Sequence, residues 1–168
     1  MNTQIIKDLI LRKGAALISC SRADLIEFEG VLTNEDIFQY LSECQTTESY
    51  RASDIHVGGN IREMRRANFE LSPGALLFPY GFLSIASDIG GNEICVDGRT
   101  GRVYFACQGS FDDQMVYCTN QVTGELIDLK GLNYDNIIMG LHFLSEDLES
   151  FLVRLLRDEL TGVLDHFD

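Results

Sequence analysis

The stretch GFLSIASDIGGNEICVDGRTGRVYFAC, Gly81–Cys107, decides how the fold is read. Apolar and polar residues alternate along it between two glycine-marked reversals, which predicts short antiparallel strands joined by tight turns. Gly81–Ala86 forms the first strand, and Asp88-Ile89-Gly90-Gly91-Asn92 supplies residues that tolerate positive φ at a reversal. In the next strand, Glu93–Asp97, the side chains of Glu93, Cys95 and Asp97 point one way and those of Ile94 and Val96 the other, because side chains alternate across a strand. Gly98-Arg99-Thr100-Gly101 then turns the chain into Arg102–Cys107, where Val103, Phe105 and Cys107 share a face. The expectation is a half-buried meander.

Outward from this meander, helical periodicity marks both ends of the chain. Thr3 reads as the cap of a helix carrying Ile5, Ile6, Leu9 and Ile10 and ending before Gly14. Ala15–Cys20 fits a strand or the end of that helix. Thr33-Asn34-Glu35-Asp36 offers a cap with acids in the first turn, followed by Ile37, Tyr40, Leu41 and Cys44 on one face. Residues 45–60 read as an irregular connection, and Asn60–Leu71 as a helix with Ile61, Met64 and Asn68 along one side. Its Arg62, Arg65 and Arg66 invite phosphate binding, but with Glu63 and Glu70 as local partners they read as a solvated face. Past the meander, Gln108–Gln114 reads as an exposed loop, Met115–Thr119 and Gly124–Leu129 as further strands, and Asn133–Gly140 as strand or helical turn. In the last helix Ser145 is the expected cap, Glu146, Asp147 and Glu149 complement the dipole, and Leu148, Phe151, Leu152, Leu155, Leu156 and Leu160 form an apolar stripe.

The run SDIGGNEICVD, followed by TGRVYF and later by SEDLESFL, resembles the SUKH superfamily, the Smi/Knr-like immunity-protein family. The residues that carry the resemblance are Asp88, Gly90, Gly91, Asn92, Asp97, Gly101, Val103, Tyr104, Phe151 and Leu152, within residues 81–160. Residues 1–80 depart from the family pattern, with Leu77-Phe78-Pro79-Tyr80 standing where a Leu-Pro-x-x-Tyr segment is expected. The resemblance implies an α+β protein that binds and neutralises a cognate bacterial toxin, often a nuclease. For other members it implies a scaffold or regulatory module in the cell. From the residues themselves the expected architecture is a single domain over 1–168, a twisted antiparallel sheet of about four to six strands with packed helices.

Composition narrows the partners. The chain has 168 residues, 45% of them hydrophobic, and no apolar run long enough to span a membrane. Its N-terminus does not read as a secretory signal, which predicts a cytoplasmic protein. Lys and Arg number 13 against 26 Asp and Glu, a net charge of −13 that repels nucleic acid and anionic membranes and attracts basic proteins. The five cysteines show no metal-ligand or redox spacing, and Cys95, Cys107 and Cys118 read as buried strand residues.

Catalytic motifs are not found. Gly90-Gly91 leads into a strand rather than a helix, so it reads as a turn and not as a phosphate loop. His142 reads as structural. No metal site, cofactor or catalytic residue is expected, and Asp88 and Asp97 are read as Asx-type turn residues. The candidate partner contacts are Phe111, Asp112 and Asp113, an aromatic beside carboxylates that steer a basic toxin into register.

Overall fold

A computed structural model describes residues 1–111, 116–129 and 133–163. In chain order the elements are α1 (Thr3–Arg12), β1 (Leu17–Ile18), α2 (Glu35–Glu43), β2 (Gln45–Thr46), β3 (Tyr50–Ala52), β4 (Ile55–Val57), α3 (Ile61–Phe69), α4 (Gly74–Leu77), β5 (Phe82–Ser87), β6 (Glu93–Asp97), β7 (Val103–Ala106), β8 (Tyr117–Thr119), β9 (Leu126–Asp128), α5 (Tyr134–Met139), β10 (His142–Ser145) and α6 (Leu148–Leu156). The meander β5-β6-β7 is the centre of a six-stranded antiparallel sheet ordered β10-β7-β6-β5-β4-β3, so the fold class is α+β. β1 and β2 pair separately, as do β8 and β9. Among the described residues no helix is long and apolar enough to cross a membrane.

The sheet is buried on both faces, not half-buried as the alternation predicts. Leu83, Ile94, Val96, Val103 and Phe105 pack into one core with α1, α2 and α6, which also pack on one another. Phe82, Cys95, Tyr104 and Ala106 pack into a second core with Leu77, Phe111, Cys118, Leu129, Ile137 and Leu141. Cys107 joins the first core beside Val103 and Phe105, as their shared face requires.

Helix starts lie one or two residues from the expected ones, because asparagine and aspartate displace the neighbouring threonine and serine as caps. Asn2 caps α1, Asn34 caps α2, and Asp147 rather than Ser145 caps α6 by accepting from Ser150 N at 2.7 Å. Ser145 instead ends β10, an edge strand that pairs with β7. Asn133–Gly140 resolves as helix, with Asn133 accepting from Asn136 N.

The expected irregular connection over 45–60 contains three short strands. The β3–β4 reversal is Ser53-Asp54, both with positive φ (50° and 65°), a hairpin turn made without glycine. Ser53 fastens it to the end of α6: its N–H donates to Asp158 Oδ1 at 2.8 Å and its hydroxyl to Leu155 O at 2.9 Å.

β4 reaches only part of β5, pairing His56 with Ser87 and Val57 with Ala86. Beyond it the strand edge is completed by a helix. Asn68 of α3 donates to Ser84 O at 2.9 Å and accepts from Ser84 N at 2.7 Å, standing in for a strand partner beside the β5 bulge. Asn68→Ala leaves both Ser84 backbone groups buried and unpaired. The expected loss is about 3 kcal/mol of unfolding free energy in a urea titration.

Glu93 faces the same side of the sheet and is 3% exposed. Burial pushes its carboxyl up to about 7, partly offset by the Ser84 hydroxyl and the Gly74 N–H. Ser84 Oγ and Glu93 Oε2 face one another without a hydrogen bond of ordinary geometry. A Cβ on Gly74 would come within 2.4 Å of Oε2, which explains the glycine there. The raised folded value means that Glu93 contributes its full stability below its ordinary value of 4.5 and loses it as pH rises through about 7. Glu93→Gln, uncharged throughout, is therefore expected to exceed the native protein in stability above pH 7 by about 3 kcal/mol, the gap closing towards pH 4.5; thermal unfolding across pH measures it.

Candidate functional site

The second core is roofed by the β8–β9 hairpin and α5, and the two turns of the meander hold that roof in place. At the first turn Asp88 Oδ1 accepts from Asn92 N at 2.9 Å and Asp88 Oδ2 from Asn92 Nδ2 at 2.8 Å. Asn92 Oδ1 in turn accepts from Gln108 N at 2.9 Å, fixing the start of the 3₁₀ turn Gln108–Ser110 that leads to Phe111. Gly91, at φ +86°, lies under the Gln108 side chain.

At the second turn Asp97 is fully buried. It accepts from Arg99 N at 3.0 Å, from the Thr100 hydroxyl at 2.5 Å and from the Tyr134 hydroxyl of α5. The Tyr134 ring stacks on Phe82 with centroids 5.8 Å apart, and the Arg99 guanidinium covers its other side at 4.5 Å. Burial, and then Asp97, push the Tyr134 hydroxyl well above its ordinary range, so it stays a proton donor to the carboxylate. Gly101, at φ +78°, packs against the side chain of Asn34. Tyr104 is buried in the second core, edge-on to Phe82 and Phe143. The motif residues are thus turn and core residues; Asp97 makes an Asx bond to Arg99 N two residues on, and Asp88 closes its reversal by accepting from Asn92 N four residues on.

The expected exposed aromatic is not exposed. Phe111 is 5% accessible, bridges to Cys118 and lies so close over Gly140 that a Cβ there would meet its ring at 2.7 Å. An aromatic among polar neighbours in sequence has found an apolar floor contributed from remote positions. Asp112 and Asp113 lie outside the described residues.

The outward side chains belong instead to the roof. In the hairpin Cys118 and Ile127 face inward, and the alternating Tyr117 and Leu126 face outward at 47% and 69% exposure. Asn120 Oδ1 closes the turn by accepting from Val122 N at 2.8 Å and Thr123 N at 3.1 Å, which leaves Val122 at the tip 93% exposed. Gln121 N donates to Met139 O at 2.9 Å, joining the tip to α5, where Met139 is also exposed. Phe143 of β10 is half exposed on the same side of the sheet as Tyr104.

The sequence segment that contains this display is acidic. Between Gln108 and Glu149 the acids are Asp112, Asp113, Glu125, Asp128, Asp135, Glu146, Asp147 and Glu149, against Lys130 as the only base; that is eight against one, a net −7 of the chain's −13. Alternation in Tyr117-Cys118-Thr119 and Leu126-Ile127-Asp128 puts Tyr117 and Leu126 on one side of the hairpin, but which side faces out depends on the second core. Among the described residues no group of three His, Cys, Asp or Glu is arranged to hold a metal ion. Chemically, the face suits association with a basic protein surface: apolar side chains to bury and carboxylates to orient them.

No protein-family model matches the chain, and no curated protein or solved structure is significantly similar to it.

Tyr134→Phe removes one of the donors to a buried carboxylate and is expected to lower unfolding free energy by about 2 kcal/mol. Val122→Ala at the exposed tip is expected to change it by less than about 0.5 kcal/mol. Urea denaturation of both variants separates the anchoring bond from the displayed side chains.

Proposed function

We propose that this protein binds and neutralises a basic protein toxin, possessing no catalytic step of its own, in the manner of the SUKH immunity proteins that its meander resembles. The observation that carries this reading is the roof of the second core. Tyr117, Leu126 and Val122 stand outward from a segment with eight acids and one lysine, on a scaffold whose buried polar groups are spent on holding that segment down. Exposed aromatic and aliphatic side chains supply area to bury, whereas the surrounding carboxylates accelerate encounter with a basic partner and reject acidic ones. Inhibition then follows from occupancy: a nuclease needs a basic face for its substrate, and an acidic protein seated on or beside that face excludes the nucleic acid. The expected location is the cytoplasm of the producing cell, where such a toxin is made.

The test begins with the reading frame beside this one. Its product is expected to arrest bacterial growth when expressed alone and to be tolerated when this protein is coexpressed. Glu125→Lys combined with Asp128→Lys is expected to slow association at low salt by at least about tenfold and to flatten its salt dependence. Tyr117→Ala combined with Leu126→Ser is expected to speed dissociation by a similar factor. A neighbouring product that neither binds nor is inhibited overturns the function. Binding that survives both double variants unchanged overturns the surface. Salt-insensitive binding to a signalling or envelope protein instead identifies a scaffold module.

A further inference from the structure

A separate feature lies where β4 stops following β5. Past Val57 the chain leaves the sheet, Gly58 N making its last bond to Ile85 O at 3.0 Å, and turns into α3. The space between α3 and the exposed end of β5 is a cleft of about 190 Å³. Its walls are apolar, with Val57, Met64, Ala67, Leu71 and Ile85 among them, and Leu71 remains 42% exposed beside it. Its polar lining residues are Ser49, His56, Glu63, Arg66, Ser84 and Ser87.

Ser84 is 1% exposed, and its hydroxyl faces Glu93 Oε2. Arg66 is exposed and makes no ion pair among the described residues, although Glu63 and Glu70 follow the helical spacing that would allow one. Arg65, by contrast, is paired with Glu27. Glu63 is the one carboxylate lining the cleft, and its Oε2 accepts from Gly59 N at 3.0 Å. Arg66 also borders the adjoining open hollow, where Arg62 stands.

From this arrangement we infer that the cleft is a binding site for a small amphipathic carboxylate. Its hydrocarbon portion fills the space between Met64, Ala67 and Ile85, and its carboxylate meets the Arg66 guanidinium. Size supports the class: an apolar cavity of about 150 Å³ accepts benzene, so this one accommodates a ring or branched chain with a carboxyl group. Charge supports it too. In a protein of net −13, an arginine without a carboxylate partner at the mouth of an apolar cleft selects an anion against the general field. The inference does not depend on toxin binding, because it uses neither the hairpin nor α5.

Benzoate is the probe, with benzamide as its uncharged analogue and inorganic phosphate as the anion without a hydrocarbon portion. Isothermal titration of the full chain is expected to give saturable benzoate binding with a Kd of about 1 mM or tighter, and benzamide at least about tenfold weaker. Arg66→Gln, an exposed position that leaves the fold intact by circular dichroism, is expected to reduce benzoate to the benzamide level. Ala67→Leu, which fills the cleft, is expected to abolish both. Absence of saturable benzoate binding overturns the inference, as does binding that Arg66→Gln leaves unchanged. Phosphate binding as tightly as benzoate and in competition with it assigns the anion to the open hollow and also overturns it. If Ala67→Leu abolishes binding of the protein partner while benzoate does not bind, the cleft takes a partner side chain instead, and the small-molecule assignment falls.

Discussion

The Asp97 side chain is enclosed by protein on every side, and a polar group in that position is tolerated only when its oxygens are hydrogen-bonded. Arg99 N, the Thr100 hydroxyl and the Tyr134 hydroxyl supply those bonds. The first two shape the turn between β6 and β7. The third reaches from a segment 37 residues away, so the same side chain that closes a local reversal also fixes α5 over the sheet. Asn92 performs the equivalent task at the other end of β6, where its amide is bonded to Asp88 and to Gln108 N. The central strand therefore has a polar clamp at each end, one reaching the 3₁₀ turn before Phe111 and the other α5.

The two faces of the sheet use different physics. The α1, α2 and α6 side is closed by aliphatic packing, with Phe151, Leu152 and Leu155 of α6 all fully buried. The opposite side carries Ser84, Glu93 and Asp97 at strand positions facing inward, together with Asn68 from α3. Buried polar groups cost stability unless matched, and here the match is incomplete: Ser84 Oγ and Glu93 Oε2 remain unpaired. The displayed roof lies on this polar side, whereas the apolar walls of the α3 cleft, Val57, Met64 and Ile85, belong to the first core. The apolar side provides stability, which lets the polar side hold geometry that packing alone would not choose.

How far this was legible follows from element length and from where partners come from. The meander, α2 and α6 carry enough residues for periodicity to identify them, and the turn roles of Asp88 and Asp97 follow from local turn chemistry. β3, β4 and β10, three or four residues each, are too short for alternation to register. The β3–β4 turn was hidden further, because Ser53-Asp54 adopts positive φ without the glycine that signals such a turn. Phe111 shows the other limit. Its sequence neighbours are polar, and only the approach of Gly140 and Cys118 from remote positions makes its site apolar. Contact surfaces inherit this limit, since the outward side of β8–β9 is defined by what its inward side covers.

Charge placement supplies the last step. With 26 acids to 13 bases, an arginine without a partner is not explained by a shortage of carboxylates. Arg51, Arg65, Arg102 and Arg157 each have an acidic neighbour within salt-bridge distance, whereas Arg12, Arg22, Arg62, Arg66, Arg99 and Arg154 have none among the described residues, so what distinguishes Arg66 is its place beside the apolar cleft. Residues 108–149 carry eight acids and one lysine in sequence, yet arginines from outside the segment reach it, Arg102 pairing with Glu146 and Arg99 covering Tyr134. The outward side chains of β8–β9 and the cleft beside Arg66 are therefore two separate surfaces on one scaffold, the first drawing on an acidic segment and the second on a single guanidinium, and each selects a different kind of partner.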